Sequence, residues 1–341
     1  MKQLRYTLSF TTPAFMGNAE QNAQWRTPPI KSLLRQWWRV AYAADKNFAV
    51  RVDEMRQEEG LLFGHAWLEN DTLERDGRVV KTSARKSEIR IRLAMPERQT
   101  GNAWGAGTQQ GVAPLTTGLD TGYAWFGLVN RGSGTPDRNA IAIKANESRR
   151  DLLLAVPDDH AERIQTTLQL IHAFGQLGSR SRGGWGSFAL DGIEPLQTQK
   201  LLRFAQTLDN CLHHDWPMSL CTDSKGLCLW ESKSTFPSWD KAMRMIATER
   251  KNARVALKTF KGKDLRPVLG FATPGRMPSP LRWRVVPAAN GQLAVRVFAM
   301  PTRIPEEGKQ LILPDDTRAA WQEVFRVMDS STQFKPRSGK Q

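Results

Sequence analysis

Two guanidiniums, Arg180 and Arg182, stand among five glycines in the stretch GQLGSRSRGGWGSF, residues 175–188. Glycine loses more backbone freedom on folding than any other residue, so a cluster marks unusual geometry or close approach to a ligand. Consecutive backbone N–H groups beside forked guanidiniums suit a phosphate. The same composition also fits a solvated surface loop. On the binding reading, Gly178, Ser179, Arg180, Ser181, Arg182, Gly183 and Gly184 hold a sugar–phosphate, and Trp185 braces the loop against the first helix.

Three basic clusters add to this loop. Lys31, Arg35 and Arg39 recur at helical spacing with Trp38 between them. In KTSARKSEIRIRL (81–93), Arg90 and Arg92 point to one face of a strand. From Lys241 to Arg266, nine Lys or Arg, Lys258 and Lys261 among them, face only Glu249 and Asp264. Any one cluster is an ordinary solvated face. Cations that follow phosphates, with rings that stack on unpaired bases, are what a single-stranded nucleic acid requires. Trp25, Trp38, Trp104 and Trp185 lie in or beside such basic or glycine-rich segments.

Catalytic patterns are missing. The chain has no GxxxxGK[ST], no HExxH and no G-x-S-x-G. His65, in LLFGHAW, has no fixed partner in sequence and reads as a packed histidine, while Glu58–Glu59 and Asp158–Asp159 read as solvent-facing helical pairs. Cys211, Cys221 and Cys228 fit neither a zinc knuckle nor a disulfide framework, even with His213 and His214 beside Cys211. No metal or cofactor is expected. Forty-nine Lys and Arg against 34 Asp and Glu leave a net charge of +15, which points to an anionic polymer as partner. No apolar run reaches membrane-spanning length and the start carries no signal-peptide core, so a reduced, cytoplasmic protein is expected.

The elements that must position these residues follow from periodicity. QLRYTLSFT (3–11) alternates as a half-buried strand. A helix starts at Thr27-Pro28-Pro29, with Ile30, Leu33, Leu34, Trp37 and Ala41 as its core stripe and Lys31, Arg35, Trp38, Arg39 and Tyr42 on the other side. Strands are expected at 87–95, 122–129 and 140–145, a helix at 158–177, and a strand after the glycine-rich loop. This β-α-β-β-α-β order is ferredoxin-like, with a sheet face open for RNA. Helices at 198–212, 238–258 and 316–329 and strands at 281–286 and 292–299 form a second α+β domain. The expected division is 1–195 and 196–341, with a frayed tail, SSTQFKPRSGKQ.

TTPAFMGNAEQNAQWRTPPIKSLLRQWWR resembles the opening of RAMP-superfamily proteins, and of the Cmr-module (type III) CRISPR effector subunits in particular. The matching elements are Thr12-Pro13, Gly17-Asn18, Lys31, Arg35, Trp38 and Arg39, then Leu62-Phe63-Gly64, Ser87 to Ile91, the glycine-rich loop, and LGFATPGRMPSPLRWRV (269–285). The resemblance implies an α+β fold of tandem ferredoxin-like (RRM-like) domains. It also implies assembly with other effector subunits, and contact with CRISPR guide RNA and a target nucleic acid, RNA or DNA. Asn18 and Arg26 join the RNA-binding set on this basis. Slicing members carry an Asp between the first strand and first helix, whereas here Ala14 to Arg26 holds only Glu20. Processing nucleases of the family use His, Tyr or Lys near the first helix, and no His precedes His65. The expected role is a non-catalytic RNA-binding subunit. A metal-independent guide-processing endoribonuclease, a repeated backbone subunit of a DNA-targeting effector and a generic RNA-assembly protein are the alternatives.

Overall fold

The computed structural model describes residues 1–17, 19, 23–66, 71–75, 77–82, 84–94, 123–124, 142–145, 149–271, 276–305 and 312–337. β1 (Lys2–Phe10) alternates as its sequence requires: Leu4, Tyr6, Leu8 and Phe10 are buried and their neighbours face outward. It pairs antiparallel with β5 (Arg149–Val156) and β6 (Phe188–Asp191), and β4 (Arg90–Ala94) lies beyond β5, giving the order β4-β5-β1-β6. α1 (Thr27–Asp45) and α3 (Ala161–Phe174) cover the apolar face, where Leu8, Leu152 and Leu190 meet Ile30, Leu34, Leu168 and Ile171.

α1 is buried on two sides rather than one. α2 (Val52–Phe63) packs along the side expected to face solvent. Trp38 is 0% exposed, with Tyr42 at 5.0 Å and Phe63 edge-on at 6.0 Å, and the Arg163 guanidinium lies over Trp38 and Tyr42. Glu59 is buried too, so it is not the solvent-facing acid of the expectation. A hairpin, β2 (Asp71–Arg75) and β3 (Arg78–Thr82), follows α2. Its base is pinned by Asp71, which takes His65 Nε2 at 2.7 Å and Arg85 at 2.9 and 2.7 Å. Of the strand expected at 122–129, only Tyr123 and Ala124 are described, and they are helical; in 140–145, Ile143 bridges Ala14.

The helix expected at 198–212 breaks into α4 (Thr198–Leu201), a 3₁₀ turn, β7 (Ala205–Thr207) and α5 (Leu208–Leu212). The Thr207 hydroxyl accepts from Asn210 N–H, starting a new helix, while β7 pairs parallel with β8 (Leu220–Asp223). β9 (Gly226–Leu227) and β10 (Leu229–Glu231) follow, then α6 (Trp239–Val255), β11 (Leu281–Pro287), β12 (Leu293–Ala299) and α7 (Pro314–Ser330). The second main sheet runs β10-β12-β11.

The tail is not frayed through Arg337. Ser232 bridges Phe334, Lys233 N–H donates to Gln333 and Lys335 N–H to Glu231, placing the tail beside β10. Phe334 is buried, and the Arg337 side chain lies on Trp230 between Asp223 and Asp329. Carboxylates and an aromatic face hold a cation that the polar composition alone assigned to solvent.

Arginines of the second sheet close the C-terminal end of α3. Arg284 donates to the carbonyls of Ile171 (3.0 Å) and Phe188, and Arg296 donates to that of Ala173 (3.1 Å). Cations suit this negative end of the helix dipole. His172 sits between them, and burial, then Arg284 and Arg296, lower its pKa from 6.5 to about 4.

Two outcomes are expected. Trp38→Ala should destabilise by about 3–5 kcal/mol in chemical denaturation, as a core aromatic truncation does. Unfolding lets His172 take up a proton between about pH 6.5 and 4, so its contribution to stability falls as pH falls through that window. Denaturation midpoints at pH 7 and pH 5 should therefore differ less in His172→Gln than in the parent.

Candidate nucleic-acid interface

The glycine-rich loop follows α3 and leads into β6, yet it is hydrogen-bonded to distant parts of the chain. Ser179 N–H donates to Phe15 O (2.9 Å), and Gly186 N–H to Pro13 O (2.9 Å). The Thr12 hydroxyl donates to Gly184 O (2.8 Å) and accepts from Ser187 N–H (2.9 Å). Leu177, Gly183 and Gly184 N–H groups close turns within the loop. These five donors, of Leu177, Ser179, Gly183, Gly184 and Gly186, are used by protein, which corrects the expectation of a backbone cradle for phosphate.

The loop passes between the two halves of the molecule. Trp283 N–H on β11 donates to Arg182 O (3.1 Å), and Gly184 lies against Met243 and Ile246 of α6. Gly178 and Gly186 adopt positive φ, +90° and +62°. A Cβ on Gly178 would stand 2.6 Å from Phe15 O, and one on Gly186 would overlap Leu177 O. Close approach is thus required, but by protein. Trp185 is wholly buried, with Phe15 at 5.4 Å, Trp239 at 5.8 Å and its Nε1–H donating to Ala124 O (2.7 Å). It braces the loop against α6, not against the first helix. Ser179 and Arg180 are exposed, whereas Ser181 and Arg182 are half-buried.

The other expected residues separate into distinct environments. Arg35 and Arg39 both grip Glu59, Arg39 through Nε at 2.6 Å and Nη2 at 2.8 Å. Two guanidiniums share one buried carboxylate, so the pair presents one net positive charge. Lys31, half-buried, has its ammonium pKa lowered by burial and by Arg35. Trp38 lies too deep to stack on a base, which removes it from the RNA-contacting set. Arg26 donates to Gly17 O (2.9 Å), and Trp25 packs between Phe10 and Arg150. Asn18, Glu20 and Trp104 lie outside the described residues.

Arg90 and Arg92 do share the open sheet face, as the alternation predicted, and both are exposed. Register places Arg90 opposite Ala155 and Arg92 opposite Leu153, with exposed Arg149 further along β5 opposite Ser9. Arg5 on this face is taken by Asp151 (2.5 Å). Among the described strand residues this face carries no aromatic ring. Lys258 and Lys261 are exposed beyond the end of α6. Sequence reasoning did not single out Arg250, Arg254, Arg276 or Arg282, which lie near the loop. Arg250 and Arg254 stood within the basic run 241–266, and Arg276 and Arg282 within the stretch 269–285 quoted for the family resemblance. Cys211, Cys221 and Cys228 are buried, and no cluster among the described residues suits a metal ion.

Gly186→Ala should lower stability by more than about 1–2 kcal/mol, the cost of left-handed backbone for an L-residue before any overlap is relieved. Ser179→Ala, on the exposed tip, should stay within about 0.5 kcal/mol. Urea denaturation of the two variants checks both.

No described helix is long and apolar enough to cross a membrane. A model of the RAMP superfamily matches residues 7–189, more than half of the 341-residue chain. No curated protein matches the chain. The apo crystal structure of Cmr1 from Pyrococcus furiosus is similar at 18% identity and a TM-score of 0.55, covering 94% of this chain and 97% of that one. A chain in the cryo-EM structure of the Type III-B Cmr-beta bound to cognate target RNA and AMPPnP, state 2, in the presence of ssDNA, is similar at 10% identity and a TM-score of 0.50, covering 95% and 99%. At such identities the likeness concerns the fold. The family match begins in β1 and ends in β6, so it spans the four-stranded sheet, its covering helices and the glycine-rich loop. The chain belongs to the RAMP superfamily.

Proposed function

We propose that this protein is a non-cleaving RNA-binding subunit of a type III CRISPR effector, contacting guide RNA and the guide–target duplex beside other effector subunits. Two ferredoxin-like units, divided near residues 195 and 196, form it. In the first, chain order β1-α1-β4-β5-α3-β6 combines with the sheet order β4-β5-β1-β6. In the second, β10-α6-β11-β12-α7 and the tail follow the same plan: the tail lies beside β10, and β12 lies between β10 and β11. Whole-chain likeness to Cmr1 supports the assembly partner class. The absence of Asp from Ala14–Arg26, and the engagement of His65 by Asp71, favour binding over cleavage.

The observation that carries the reading is the open sheet face with exposed Arg90, Arg92 and Arg149. RNA-binding sheets of this topology usually stack bases on aromatic side chains. Arginines without rings instead fit the sugar–phosphate backbone, which sets position rather than sequence. Lys258, Lys261 and Arg180 extend the basic surface on the second half and the loop.

Affinity for single-stranded RNA should fall linearly with salt on logarithmic axes, with a slope near −0.7 per phosphate contact. Arg90→Ala, Arg92→Ala and Arg149→Ala together should reduce that slope by about 2 while each costs under about 0.5 kcal/mol of stability. An unchanged slope and affinity in the triple variant would show that the open face does not carry the RNA. A discrete cut in a repeat RNA would overturn the non-cleaving reading.

A further inference from the structure

The seam beside Gly183 and Gly184 is built from positive charge. Arg182 leaves the loop there, its Nη1 donating to Ser279 O (3.2 Å). Arg282, next to Trp283 on β11, is 4% exposed, and its Nε and Nη2 have no hydrogen-bond partner. Arg250 lies across Gly183: a Cβ on that glycine would stand 2.6 Å from Arg250 Nη1, which donates to Tyr123 O (3.1 Å). One turn along α6, Arg254 donates to the carbonyls of Leu269 and Gly270 (both 3.3 Å).

Two groups of cations stand here: Arg182 with Arg276 and Arg282, and Arg250 with Arg254 and Arg180. Burial first, then Arg276, lowers Arg182 to about 10; burial, then Arg254 and Arg180, lowers Arg250 to about 10. Arg282 is pushed down by burial and by Arg182. Among the described residues, no carboxylate forms an ion pair with Arg182, Arg250, Arg254, Arg276 or Arg282. Asp264, which touches Arg254 electrostatically, is already held by Arg266 at 2.8 and 3.0 Å. Glu249 is turned to Asn252 and Ser331.

Arg337 is held by carboxylates and Arg284 by carbonyls at a helix end, whereas Arg282 lies 6.0 Å from the Phe298 ring with two unsatisfied nitrogens. Uncompensated burial of like charges is unfavourable, and an unsatisfied buried donor calls for a specific explanation. Guanidiniums brought together from the loop, β11 and the segment before β11 match an oxyanion with several oxygens, and phosphate offers that geometry.

We propose that Arg182, Arg276 and Arg282 form a phosphate-binding site in the seam, where a phosphate group balances their charge and ties β11 to the glycine-rich loop. The site rests on the RNA-binding reading only for the source of that phosphate. Removing Arg282 takes away both a ligand donor and an uncompensated charge, so its loss stabilises the protein without phosphate and weakens it with phosphate.

The test is thermal denaturation of the full chain in inorganic phosphate against chloride at matched ionic strength. The parent should gain a saturable rise in Tm with phosphate, as ligand linkage requires. Arg282→Met should melt higher than the parent in chloride and lose the phosphate response. Arg276→Ala, at an exposed position, should melt like the parent in chloride and bind phosphate about tenfold more weakly, the size of a charge-assisted hydrogen bond. No phosphate-specific rise in the parent, or an undiminished rise in both variants, would overturn the site. Short RNAs with hydroxyl or phosphorylated ends then locate the source. Tighter binding of phosphorylated ends, lost in Arg282→Met, assigns a strand terminus; equal binding of both, weakened by Arg282→Met, assigns an internal phosphodiester. A phosphate response with no RNA binding at low salt would support the site and overturn the RNA-binding reading.

Discussion

The two halves of this molecule can pack as they do because a short segment passes between them at a separation that leaves no room for side chains. At Gly178 and Gly186 the loop backbone lies within hydrogen-bond reach of the chain leaving β1, and at Gly184 it lies against α6. Thr12 closes the arrangement by bonding both Gly184 and Ser187. Each contact depends on the others, since a Cβ at these glycines would push away Phe15 after β1, Met243 and Ile246 of α6, or Leu177 of the loop itself. Trp185, pointing into the second core from the same segment, fills the space that the glycines leave.

Arginine serves three purposes around this framework, and the side chain is the same in each. Arg35 and Arg39 converge on Glu59, which fixes α2 to α1 and lets Trp38 disappear into the core. Arg284 and Arg296 reach across the junction to the last carbonyls of α3, so a helix terminus of the first half is completed by strands of the second. Arg90, Arg92 and Arg149 stand in water on the open sheet face, where their charge is available to a polyanion. The net charge of +15 is therefore a sum over structural and solvent-facing cations. Only the latter contribute fully to the field that an approaching polyanion would meet.

The long-range pairings explain why so much basic charge is tolerated. Several buried guanidiniums find carbonyls, carboxylates or ring faces that lie far away in sequence, such as Arg337 with Asp223 and Trp230. Cation–ring contacts of this kind gain strength where water is excluded.

The sequence by itself determined the elements whose periodicity is set locally. The alternation of β1, the Thr27-Pro28-Pro29 helix start, the strands β11 and β12 and the shared face of Arg90 and Arg92 all follow from local backbone geometry and periodicity. The glycine-rich loop was recognisable as special for the same reason, because its composition records an unusual backbone. What the loop approaches was not legible, since Phe15, Met243 and Trp283 come to it only through tertiary packing. The same holds for Trp38 and Glu59: nothing in α1 alone shows that a second helix will cover its basic side. The tail and the 198–212 segment misled through their polar or helical composition, which strand pairing with distant residues overrode. Local spacing dictates which way a side chain points along its own element, whereas burial and partner are decided by what folds against that element.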